Sequence, residues 1–583
     1  MLRADAAPGY LHRLLVTLEG WAQVVRGRGW LLERDGGTDR DTFALLAIRL
    51  TWEAALLEAH PRLAPLWTRA QGRHAEPFEP TDDLRVDMAL EDAADRARER
   101  RLAETFAQAP AAPSAAETGP AIQAAFCIDV RSEVFRRALE QADPGVATLG
   151  FAGFFGLAVA HRPAASDLVE ARGPVLLPTG AETAAALPDD HDVAARIRLR
   201  LGRAWGRFRM ATVSAFAFVE AAGPLYALKL LRDAAGLLPH RHAPDPRPVA
   251  GMALADRVAA AAAILRAMSL TEGFAPVVLV AGHGARVTNA PYASALQCGA
   301  CGGHAGDVNA RLLASILNDP AVREGLTAEG ITVPAGTVFV AGLHDTVTDE
   351  VTLFDVDPAT DLARLRAALA RAASLARAER ALRLPRAADP EGLPARGADW
   401  AEVRPEWGLA GCAAFVAAPR ALTRGRDLEG RAFLHSYDHR ADGGYGVLEL
   451  ILTAPVVVAS WIALQYHGST VAPATFGAGN KLLHNVTGGI GVVEGAAGHL
   501  RAGLPWQSVH DGEHARHEPG RLAVVVAAPR EAIAEVLARH ADVRALFDNG
   551  WLALLHMEDD GRIGARWEAG GWWLSPPSGA AAR

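Results

Sequence analysis

The sequence predicts an α/β fold with a mainly parallel central sheet, flanked by a helical N-terminal segment and a mixed C-terminal region. Three observations lead there. Runs rich in β-branched residues alternate with stretches of three- and four-residue apolar spacing, the pattern of strands that return through helices. Residues 275–284 (APVVLVAGHG) are apolar on both strand faces and end in glycines, as a central parallel strand does. Cysteine, aspartate and histidine collect where two such runs end, and in an open α/β sheet those carboxyl ends converge on a crevice.

The chain has 583 residues and 61.5 kDa, with 50% hydrophobic and 22% charged residues, which excludes fibrous and disordered classes and allows a sizeable core. A net charge of -8 and a pI near 6.2 argue against a nucleic-acid partner, which needs a basic face. Four cysteines make no disulfide framework, so reduced thiols in the cytosol are expected. No basic stretch followed by an apolar one opens the chain. The longest apolar run, 450–464, is shorter than the ~20 residues of a bilayer crossing and contains Pro455. It reads as a buried helix pair or a strand, with no membrane span expected.

Taken in order, residues 10–70 carry amphipathic helical spacing and 91–108 form a charged helix. An Ala/Pro/Ser linker follows at 109–120. Residues 121–130 read as a strand, 131–141 as a helix and 145–159 as strand-like; 182–235 and 253–268 are largely helical. After the strand 275–284 come a glycine-rich loop at 298–303, a helix at 307–317, two strands within 336–356 and an arginine-rich helix at 361–382. These divide into a helical N-terminal region (1–108), the linker, an α/β core bearing the candidate site (121–384), a C-terminal α/β region completing that core (385–575) and a tail (576–583). No internal repeat is visible.

Two segments concentrate chemistry. Cys127-Ile128-Asp129-Val130-Arg131 sits where a strand passes into a helix, and His283 and Cys298 bracket the second strand end and its loop. Two thiolates and an imidazole suit Zn²⁺, and the fourth tetrahedral position is open to Asp129 or to water. Arg131 is placed to grip Asp129 bidentately, drawing it off the metal or releasing it. The alternatives are a redox dithiol, since CGAC (298–301) has the C-x-x-C spacing, and ordinary core packing.

Six segments in order, CIDVRSE, GHG with N-x-P-Y-x-S-x-L-x-CGACGG, AEVRPEWGLAG, FLHSYD, GNKLLHNVTGGIGVVEG and LRAGLPWQSVH, resemble the DabA family over residues 120–515. These are zinc-bearing subunits of energy-coupled inorganic-carbon transporters, with a metal site like that of β-type carbonic anhydrases. The resemblance implies Cys127, Asp129, His283 and Cys298 as zinc ligands and Arg131 as the partner of Asp129, with Asp129 and Arg131 acting in catalysis. It leaves Cys301 structural. His283 and Cys298 lie fifteen positions apart, wider than in those anhydrases, so the likeness is one of ligand set and strand placement. The resemblance also implies a longer region ahead of the first motif than the 126 residues found here, as in a short variant, a truncated gene or a fragment.

What the resemblance implies for function is vectorial hydration of CO₂ to bicarbonate by a peripheral protein on the cytoplasmic side of the cell inner membrane. Its partner would be an integral, cation-antiporter-like DabB-type subunit, and hydration is expected only within that complex. A stand-alone β-type carbonic-anhydrase-like zinc hydro-lyase is the alternative. Lys481, one of two lysines in the chain, is read either as a needed ammonium near bicarbonate or a proton path, or as a loop residue. His344, Asp345, His435, Asp438 and His484 could form a polar relay, Glu133 could assist proton transfer, and Phe151, Phe154 and Phe155 could wall a CO₂ pocket. Satisfied histidines and ordinary core packing are the plainer readings of these residues.

Overall fold

The computed structural model describes residues 2–108, 119–211, 213–234, 247–487, 490–496 and 498–574. Most of the linker at 109–120 and the tail at 576–583 lie outside these described residues. The N-terminal region contributes helices, of which Asp82–Ala107 is the longest. That helix opens on a Thr81 cap, whose hydroxyl accepts the Leu84 amide, and two acidic residues, Asp82 and Asp83, sit in its first turn.

The strands of the first half, in chain order, are β1 (Ile122–Cys127), β2 (Val146–Phe151), β3 (Val159–Arg162), β4 (Glu170–Arg172), β5 (Ala181–Ala185), β6 (Pro248–Ala250), β7 (Val277–Gly284), β8 (Val338–Asp345) and β9 (Val351–Phe354). Five of them make a sheet in the order β2-β1-β7-β8-β9. Its first four strands are mutually parallel and β9 pairs antiparallel with β8. Every residue of β1 is buried, and all of β7 after Val277, because helices cover both faces. The helix Val130–Ala142 packs on one side with Ala363–Ala381, and Leu254–Ala267 and Asp307–Leu317 lie on the other. β3, β4, β5 and β6 form a smaller separate sheet.

A second large sheet was not expected as a unit of its own. β10 (Ala414–Ala418), β11 (Ala432–Ser436), β12 (His484–Thr487), β13 (Gly491–Glu494), β14 (Leu500–Arg501), β15 (Leu522–Val526), β16 (Leu552–Met557), β17 (Ile563–Glu568) and β18 (Gly571–Leu574) follow in the C-terminal part. Six of these order as β11-β10-β15-β16-β17-β18, parallel through β16 and antiparallel beyond it. The first five strands of each large sheet therefore share one order: second, first, third, fourth, then an antiparallel fifth. The sequence shows no repeat because topology is preserved by apolar strands of any detailed composition. In both sheets the switch point falls between the first and third strands, where ligands bind in such folds. Only the first sheet carries Cys and His there; β10 and β15 both run into the same pentapeptide, VAAPR (416–420 and 526–530), without either residue type.

The two sheets meet along β2 and β11. The Leu434 amide donates to the Ile128 carbonyl (3.0 Å), the Gly150 amide to the Ser436 hydroxyl (2.9 Å), and Arg136 Nη1 to the Leu434 carbonyl (2.8 Å). Gly150 is required at this seam, since a Cβ there would overlap the Leu434 carbonyl oxygen. The apolar run at 450–464 is a helix pair, Gly446–Thr453 and Pro455–Val471, broken at Ala454 ahead of the proline. Among the described residues, 446–471 is one stretch long and apolar enough to cross a membrane. One face of it is packed in the protein, where Leu448, Ile451, Val456, Ala459 and Tyr466 join the core cluster that also holds Cys127 and Cys298.

Candidate metal centre

The centre is built at the switch point of the first sheet. β1 ends at Cys127, and two residues later Asp129 caps the helix Val130–Ala142, its Oδ1 accepting the Arg131 amide at 2.9 Å. The cap and the fork act together: Arg131 folds back so that Nε meets Oδ1 at 2.8 Å and Nη2 meets Oδ2 at 2.9 Å. His283 arrives from β7, the parallel neighbour of β1. Cys298 arrives from the loop beyond, whose tight turn Gly299–Cys301 is closed by left-handed Gly302 and by the bond from the Cys298 amide to the His304 carbonyl.

Cys127, His283 and Cys298 bring their donor atoms within 4.8 Å of one another, all buried. The two sulfurs are 3.9 Å apart and no disulfide joins them. Three features fit a cation of Zn²⁺ character. The donor set is two soft sulfurs and an imidazole. His283 Nδ1 is a buried nitrogen with no hydrogen-bond partner. The backbone of Gly153 leaves room beside the sulfurs, for a Cβ there would stand 2.8 Å from both. Without a cation the Cys127 thiol is pushed well up by its bond to Cys298 and by burial. Cys298 is raised as well: its bond from Cys127 acts the other way but is outweighed by Cys301 and burial.

Asp129, the fourth expected ligand, lies outside this three-donor group. Its Oδ2 is 3.4 Å from His283 Nε2, yet both oxygens are engaged by Arg131. Burial would raise its pKa, but the adjacent guanidinium wins and holds the carboxyl below its usual range. Cys301 is buried and also stays outside the donor group.

An apolar cavity (≈ 70 Å³) opens against the donors, reached by Cys127, Asp129 and His283 and walled by Phe151, Phe154, Phe433, Ile451, Val458 and Ile462. Of the three phenylalanines singled out in the sequence, Phe151 and Phe154 line it, whereas Phe155 is fully buried in the core cluster that it shares with Phe151 and does not reach the cavity. Of the residues considered for a relay, His435 alone reaches this cavity. Its Nδ1 lies 2.9 Å from the Ser436 carbonyl, which fixes Nδ1 as the donor and leaves Nε2 a lone pair. His344 pairs with Asp349 (3.2 Å), and His484 with the Ala478 carbonyl (2.8 Å). Asp438 caps a short turn. Glu133 is held by Arg137 and by the Gly430 amide. Lys481 donates to the Val403 carbonyl at 3.2 Å, with its pKa lowered to about 8 by burial, and so tethers the segment that leads to Glu406.

Glu406 is the residue the sequence did not single out. It lies within the quoted AEVRPEWGLAG segment, and its Oε1 accepts from Arg131 Nη1 at 3.1 Å across 275 positions of chain. Nothing in local spacing announces a pair so distant.

The DabA family model, described as "Probable inorganic carbon transporter subunit DabA", matches residues 1–552. The chain belongs to the DabA family. A relative of that name from Rhodospirillum centenum is 60% identical over 579 residues, covering 97% of this chain and 71% of its own. Relatives of the same name from Xanthomonas euvesicatoria and Rhodopseudomonas palustris are each 58% identical, over 99% of this chain and 73% of theirs. No solved structure matches. The DabA match thus confirms the family read from the six segments, and the mixed α/β architecture agrees with the expected class.

Proposed function

We propose that this DabA-family chain is the zinc-bearing subunit of an inorganic-carbon transporter, hydrating CO₂ to bicarbonate and a proton in one direction across its complex. The single observation that carries this reading is the three-donor centre opening onto an apolar cavity. Zn²⁺ held by Cys127, His283 and Cys298 would supply Lewis acidity, lowering the pKa of water there far enough for hydroxide to form near neutral pH. The chain's own residues do the rest. The phenylalanine and aliphatic walls offer CO₂ a dry approach, where a neutral gas competes well with water. Arg131 keeps the Asp129 carboxylate off the donor group, which leaves the fourth position free. His435 presents a lone pair on the cavity wall, a place for a proton to pass.

The partner in this reading is an integral, cation-antiporter-like DabB-type subunit, with the chain seated peripherally on the cytoplasmic side of the inner membrane. The names of the relatives, each a transporter subunit, support a complex. The test is expression with and without a DabB-type neighbour in a host lacking carbonic anhydrase, at ambient CO₂. Rescue by the pair alone supports coupling. Rapid CO₂ hydration by the purified chain alone would instead establish the stand-alone hydro-lyase.

A further inference from the structure

Arg131 serves two carboxylates. Nε and Nη2 take Asp129, while Nη1 takes Glu406 Oε1 at 3.1 Å, Thr346 Oγ1 at 3.2 Å and the Leu296 carbonyl at 2.7 Å. The side chains are 4% exposed for Arg131, 5% for Asp129 and 1% for Glu406, so all three charges are out of water. Glu406 Oε2 has no hydrogen-bond partner. Its nearest further cation, Arg380 Nη1, stands 3.8 Å off, and Arg380 is itself committed to Asp349 at 2.6 Å. Asp345, nearby and half-buried, adds negative charge rather than relieving it. A buried carboxylate oxygen without a hydrogen bond opposes folding, and here two cations, Arg131 and Arg380, serve three carboxylates, Asp129, Asp349 and Glu406, so one negative charge is surplus in the arrangement seen.

That surplus becomes necessary in the other arrangement. If Asp129 moves to the donor group, Arg131 loses its bidentate partner, and a bare buried guanidinium is strongly unfavourable. Glu406 would then be its remaining anion. The two carboxylates also face different spaces: Asp129 lines the apolar cavity, whereas Arg131 and Glu406 line a second one (≈ 500 Å³) that also holds the charged side chains of Arg380 and Arg383 and the imidazole of His517. We propose that Glu406 is a positioning residue that keeps Arg131 neutralised when Asp129 leaves it, and thereby sets how readily Asp129 exchanges between Arg131 and the metal. This rests on reading the three-donor group as a metal site.

The purified full-length chain loaded with Co²⁺ tests it, since the visible spectrum reports the coordination and azide serves as a probe of the fourth position. In Glu406→Gln, Asp129 cannot leave Arg131 without stranding it, so azide is expected to bind about tenfold or more tightly than in the parent chain. Glu406→Asp, with the carboxylate withdrawn by one methylene, moves the affinity the same way by a smaller factor, and carries the test if the Gln variant does not fold. Removing a negative charge would also favour azide through space, and the Asp129→Ala background separates the two effects. There the Glu406→Gln effect is expected to vanish, and an undiminished effect overturns the proposal. Unchanged azide affinity in folded Co²⁺-bearing Glu406 variants overturns it as well, with the metal reading intact. Failure of the parent chain to bind Co²⁺ removes the metal reading and this inference with it.

Discussion

Gly153 stands against Cys127 and Cys298 together: a methyl on its Cα would lie 2.8 Å from each sulfur. The centre therefore depends on the absence of a side chain as much as on the presence of three donors. Gly153→Ala must push the sulfurs apart or displace the 153 backbone. The expected outcome is a 10- to 100-fold loss of zinc affinity, about the scale of lost supporting contacts at metal sites, with folding retained. Competition against a chromophoric chelator measures it.

Metal content follows from the same geometry. The parent chain is expected to carry about one Zn²⁺, and Cys127→Ala or His283→Ala to lose it, because three protein donors are the minimum for a tight site with an open position. Arg131→Ala should keep the metal while abolishing carbon uptake, since Arg131 touches Asp129 and Glu406 and, of the donor residues, meets only His283 on its Nε2 side (3.4 Å), leaving His283 Nδ1 and both sulfurs in place. Elemental analysis paired with growth of the complemented host reads both. Loss of metal in the Arg131 variant would contradict the assignment of roles.

The apolar cavity gives a separate prediction. Ile462 borders it from the helix Pro455–Val471 and also packs beside Gly299 in the Cys298 loop. Ile462→Trp fills the space in front of the donors without touching them. Carbon uptake by the co-expressed pair is expected to fall at least about tenfold with zinc content unchanged, a barrier increase of roughly 1.4 kcal/mol. Uptake at the parent level would show that CO₂ reaches the centre by another way.

Three buried histidines set a pH dependence. Loss of solvation lowers His161, His435 and His517 from 6.5 to about 4. They are neutral in the folded chain while the unfolded chain takes up protons below 6.5, so the unfolded state binds more protons between pH 6.5 and 4. Stability is therefore complete above pH 6.5 and is lost as the pH falls towards 4, by up to about 1.4 kcal/mol per pH unit for each histidine. Urea midpoints at pH 7 and pH 5 measure the loss. His435→Gln should flatten the slope by about one proton, and an unaltered slope would remove His435 from the account.

How much of this was legible in the sequence follows from the range of each interaction. The helix 307–317 and the strand ending in GHG were readable because apolar period and flanking glycines are local. Cys127, Asp129 and Arg131 were readable because a strand end, a cap and a fork fit within five residues. The division into two large sheets was not, since which apolar strand pairs with which is decided by contacts between distant segments such as β10 and β15. Residues 182–185 were read as helix yet form β5, where pairing with β3 overrides an alanine-rich propensity. Glu406 escaped for the same reason as the second sheet: its partner is 275 positions away.

The outer face of the helix pair carries the last prediction. Val456, Ala459, Ala463 and Tyr466 face the core, while Trp461 and Leu464, on the same helix, are exposed. Exposed Phe476 and Leu482 follow close behind in the chain. Exposed large apolar side chains that gather into one patch mark a contact surface, and these lie on the face of the helix turned away from its own core. If the proposed membrane subunit docks here, Trp461→Glu with Leu464→Glu places two carboxylates in that contact while leaving every donor, Gly153 and the cavity wall untouched. The expected outcome is loss of co-purification with the membrane subunit and of carbon uptake, at full zinc content and parent stability. Co-purification at the parent level would move the contact to another face, because two buried unpaired carboxylates are incompatible with a close apolar interface.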